Sequence, residues 1–189
     1  IDRERKTLDY FGFANWTRTL LHAGTWRMAS NSFCRPDTVA ITNIAASRGA
    51  ELAERGKRPE DVVFCMLMDE PTGQPLDFMA QDAAYQEAFR NWLRSKGLTP
   101  DDLLVSDWAA VRTVTDDARD TDPALYYFSQ RFRTQALGDF MAVQRRALEA
   151  ACGGAFPVNV NFSDGATYHA NFYSQGVDYF ELLDDDGQN

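Results

Sequence analysis

The run Val62 to Met68, "VVFCMLM", is apolar at every position, β-branched at its start, and bounded by Pro59 and Pro71. A continuous run of this kind predicts a strand covered on both faces, as in a parallel sheet, rather than the alternation of a half-exposed strand. Upstream, "LDYFGFANWTRTLLHAG" spreads its apolar residues around a helix, and "TWRMASNSF" reads as a short strand. Asp37 or Thr38 caps a helix whose apolar positions Ile41, Ile44, Ala45 and Leu52 keep helical spacing, ending at Gly56. After the loop "EPTGQPLD", a helix is expected from Met79 to about Lys96, burying Tyr85, Ala88, Phe89, Trp92 and Leu93, with Gly97 as its stop. Thr99 and Pro100 start a short helix. A long loop, Ser106 to Thr121, leads to a helix from Pro123 to about Ala151. Its stripe Leu125, Phe128, Phe132, Ala136, Phe140, Val143 and Ala147 steps by three or four. "PVNVNF" and "GVDYFELL" read as two more strands.

Strands alternating with helices predict an α/β fold with parallel strands and right-handed crossovers, in a single domain over residues 1–189. A complete (β/α)8 TIM barrel takes roughly 250 residues, and only about four strands are visible. Part of such a barrel is therefore expected. The opening on Ile1 and the ending "DDDGQN" suggest an internal or incomplete segment, so an oligomer or the remainder of a longer chain is a possible partner.

Charge and composition narrow the function classes. A net charge of −9, without a Lys/Arg cluster, disfavours nucleic acid, which is bound by neutralising phosphates. No apolar run approaches the ~20 residues of a membrane span, so no membrane partner is expected. Cys34, Cys65 and Cys152 are far apart and lack CxxC spacing, which suggests neither a disulfide framework nor a zinc site. No motif calls for a cofactor. The compartment is not encoded, and both a cytoplasmic and a secreted bacterial protein are compatible.

The chemistry gathers where the apolar strand ends, at Asp69, Glu70 and Pro71. In parallel α/β folds, active sites form at the carboxyl ends of strands, where loops converge. Pro71 lacks an amide donor and holds the preceding residue extended, so Glu70 is rigidly presented. Against an apolar wall its pKa would rise, as a general acid near neutral pH requires. The plainer alternative is a turn cap or a salt bridge.

The order of segments adds a resemblance. "MDEP", then "YQEAFRNWLRSKGLTPDDLLVSDWAAVR", then "YYFSQRFRTQALGDFMAVQRRALEAACGGAFPVNVNF" resembles the central part of TIM-barrel glycoside hydrolases of the β-galactosidase-like kind, over about residues 59–183. That resemblance implies hydrolysis of a glycosidic bond in a carbohydrate substrate. Glu70 would be the general acid/base and Asp69 a neighbour contacting a sugar hydroxyl. The family usually has asparagine where this chain has Asp69, and its nucleophile comes from a seventh strand not found before Asn189. A catalytically inactive carbohydrate-binding barrel or an interaction subunit is the alternative.

Asn161 and Asp164, with Ser163, cluster at the next strand end and either bind a substrate hydroxyl or close their own turn. His169, Asn171 and Tyr173 mix rings and hydrogen-bonding groups, as a sugar site does, or else plug a barrel rim. Asp184, Asp185 and Asp186 read as a solvated acidic loop, since three consecutive side chains cannot all face one ion, and no metal is expected. His22 reads as structural, and Arg131 and Arg133 as helix-surface charge. The sequons at Asn15 and Asn161 carry no weight.

Overall fold

The computed structural model describes residues 6–7, 10–11, 32–62, 65–69, 73–155 and 158–161. Among them helix predominates. The described residues include two short strands, β1 (Cys65–Asp69) and β2 (Val158–Asn161), which pair in parallel with each other. This overturns the expected α/β fold built as part of a (β/α)8 barrel. A barrel requires each strand to be hydrogen-bonded on both sides in a closed sheet. Here everything described between Asp69 and Val158 is helix, 3₁₀ turn or loop, and the two strands form a ribbon. The expected strand "GVDYFELL", the helix around residues 8–24 and most of "TWRMASNSF" lie outside the described residues.

The chain divides into two compact units. Of the described residues, one unit holds 6–7, 10–11, 37–62, 65–69, 141–155 and 158–161, and the other holds 32–36 and 73–140.

The first unit begins with α1 (Thr38–Glu54). Asp37 caps it, its Oδ1 accepting from the Ala40 amide at 2.9 Å, and satisfies a donor that the first turn leaves free. At the other end the Gly56 and Lys57 amides return to Ala53 and Leu52, with Gly56 at φ +61°. That left-handed residue is what lets the helix close on its own carbonyls. Ile41, Ala45 and Leu52 form the buried stripe. A 3₁₀ turn (Pro59–Asp61) comes next, closed by the Arg58 amide donating to Asp61 Oδ2 at 2.9 Å. Cys65 and Leu67 on β1 are buried, consistent with a strand covered by its neighbours. Gly49 of α1 lies so close to the Ala151 carbonyl that a Cβ there would sit 2.5 Å from its oxygen.

The second unit contains α2 (Leu76–Gln81) and α3 (Ala83–Ser95), where one continuous helix was expected. Asp82 divides them. Its backbone is extended (φ −89°, ψ 117°), its amide closes α2 on Phe78, and its Oδ1 caps α3 through Ala84 N at 2.9 Å. A short polar side chain that can bind nearby amides competes with the helix for its own backbone, and here it prevails. The expected short helix after Thr99 is a 3₁₀ turn (Asp101–Leu103), with Asp102 Oδ2 accepting from both the amide and the hydroxyl of Thr99.

The long helix α4 (Pro123–Cys152) belongs to the second unit up to Phe140. Its Phe132 ring meets Phe89 at 5.5 Å and Trp92 at 5.4 Å, so the predicted stripes of α3 and α4 join in one aromatic core. The loop ahead of α4 is internal at Val111, Thr113 and Val114. Gln86 holds it by exchanging hydrogen bonds with Thr113, at 2.6 Å to the hydroxyl and 3.1 Å from the amide. Ser129 Oγ accepts from Val114 N at 3.0 Å. Polar side chains thus satisfy a buried loop that has no strand partner.

Candidate functional site

β1 and β2 run in the same direction, so their carboxyl ends lie at one edge. Cys65 pairs with Val158, Met66 with Asn159, Met68 with Val160 and Asp69 with Asn161, with a register shift between Met66 and Met68 that leaves Leu67 unpaired. An extra residue of this kind bends a strand and re-aims the residues beyond it. The last pair is the functionally interesting one. Asp69 and Asn161, two of the residues singled out in the sequence, are register partners at the strand termini. Glu70 is the next residue in the chain after Asp69 and lies outside the described residues, as do Asp164, His169, Asn171 and Tyr173. Ser163, His22 and the Asp184–Asp186 run lie outside them too.

The register thus sets an aspartate and an asparagine at the carboxyl ends of adjacent parallel strands. At the opposite end of β1, Cys65 is completely buried, and burial first, then Cys152 nearby, pushes its thiol up to about 12 against a smaller lowering influence of Arg48. A thiol so raised stays protonated and unreactive, and Cys65 serves as a small core residue.

The second unit holds a polar cluster that periodicity did not indicate. Gln74 Oε1 accepts from the Phe33 amide at 2.8 Å and from the Tyr85 hydroxyl. Tyr85 is fully buried, and burial, reinforced by Cys34 and Asp82, pushes its phenol up, with Arg133 pulling the other way. Cys34 is raised to about 12 by burial and then by Asp139 and Asp82. Arg133, expected as helix-surface charge, instead donates from Nη2 to the Gly73 carbonyl at 3.0 Å and lays its stem against Gly73. Arg131 does lie toward the surface, bonded to the Tyr127 hydroxyl at 3.0 Å. The one signal that pointed toward this cluster is the pair of polar and small residues, Gly73 and Gln74, directly after the strand loop.

Among the described residues no group of three or more His, Cys, Asp or Glu side chains could hold a metal ion. No helix among them is long and apolar enough to cross a membrane. Compared with protein-family models, with curated proteins and with solved structures, the chain gives no match.

Proposed function

We propose that this protein acts on the glycosidic bond of a carbohydrate, with Glu70 as general acid/base and Asp69 and Asn161 as ligands for sugar hydroxyls. The observation that carries the proposal is the pairing of Asp69 with Asn161 at the ends of two adjacent parallel strands, since Glu70 directly succeeds one of them. The order of segments from "MDEP" to "PVNVNF", similar to that of β-galactosidase-like glycoside hydrolases, supports it independently. The proposal keeps the strand-end chemistry of that resemblance without its barrel.

In this mechanism the protonated Glu70 gives its proton to the glycosidic oxygen as the bond to the anomeric carbon breaks. The route also requires a second carboxylate, roughly 5–5.5 Å away for retention or 6.5–9.5 Å for inversion, to attack the anomeric carbon or activate water against it as that bond breaks. The test is a panel of aryl glycosides. Wild-type protein should turn over at least one of them, and Glu70→Gln should bind the same compound while losing turnover.

A second function has one specific observation in its favour, which is aspartate at position 69 where the similar hydrolases usually carry asparagine. It is sugar binding without hydrolysis. Wild-type protein that binds a glycoside of the panel and leaves it intact would establish that function in place of the first.

A further inference from the structure

We draw no further inference here: the strongest candidate, the aromatic and cationic surface patch of the second unit where Arg94 lies over Trp108 and Arg131 over Tyr127, carries nothing because nothing in the structure shows what covers it.

Discussion

Tyr85 and Gln74 are eleven residues apart in sequence, and Phe33 is forty-one from Gln74, yet one amide oxygen serves both donors. Tyr85→Phe removes one donor and leaves Gln74 bound to Phe33, so it should cost about 1 kcal/mol in urea unfolding. Gly73 gives a sharper test, because a Cβ there would lie 2.4 Å from Arg133 Cγ. Gly73→Ala should destabilise by roughly 1–3 kcal/mol, as overpacking does. In a double-mutant cycle with Arg133→Ala the combined loss should be smaller than the sum of the two. The buried thiols make a prediction in pH. An unfolded cysteine loses its proton near 8.5, whereas Cys65 holds its proton up to about 12. Between those values the unfolded state binds fewer protons, so stability falls as pH rises, and below them the thiol adds no slope. Urea midpoints at pH 8 and pH 10.5 should show a shallower fall for Cys65→Ala than for wild type.

At the scale of elements, the ends of α1 were readable because caps are local. Asp37 and Gly56 announce themselves within one turn of the residues they serve. The same holds for β1 and β2, whose apolar and β-branched runs lie within a few residues of the observed spans. The break at Asp82 was also written locally, as an Asx cap inside an otherwise helical pattern, but the run of helix-forming residues on both sides hides it. Gln86, Ser129 and Arg133 were not readable as bracing, since their partners lie 27, 15 and 60 residues away and leave no periodic trace. One element end is strained. Leu104, which ends the Asp101–Leu103 turn, sits in the left-handed region at φ 59° with its side chain 77% exposed. Left-handed backbone costs a residue with a Cβ roughly 1–2 kcal/mol, partly offset by the greater freedom glycine has when unfolded. Leu104→Gly should therefore stabilise the protein, by up to about 1 kcal/mol, as a higher urea midpoint.

For the whole molecule, the sequence favoured a barrel because alternating strand and helix signals are the same whether strands close into eight or, as among the described residues, pair as two. A continuous apolar run establishes that a segment is covered on both faces without saying how many neighbours it has. The parallel direction of β1 and β2 agrees with the alternation, and the long helical stretch between them is what the barrel expectation could not accommodate. Asp69 and Asn161 meet in register although the described residues form no barrel. Proton donation by Glu70 is the central claim, and leaving-group dependence tests it most directly. A dinitrophenyl glycoside departs without a proton, whereas an alkyl glycoside of the same sugar needs one. For Glu70→Gln, kcat/KM on the alkyl substrate should fall roughly 10²–10⁴-fold while the dinitrophenyl substrate keeps most of its rate. Equal losses on the two substrates, no loss on either, or a wild-type protein that cleaves neither would contradict it.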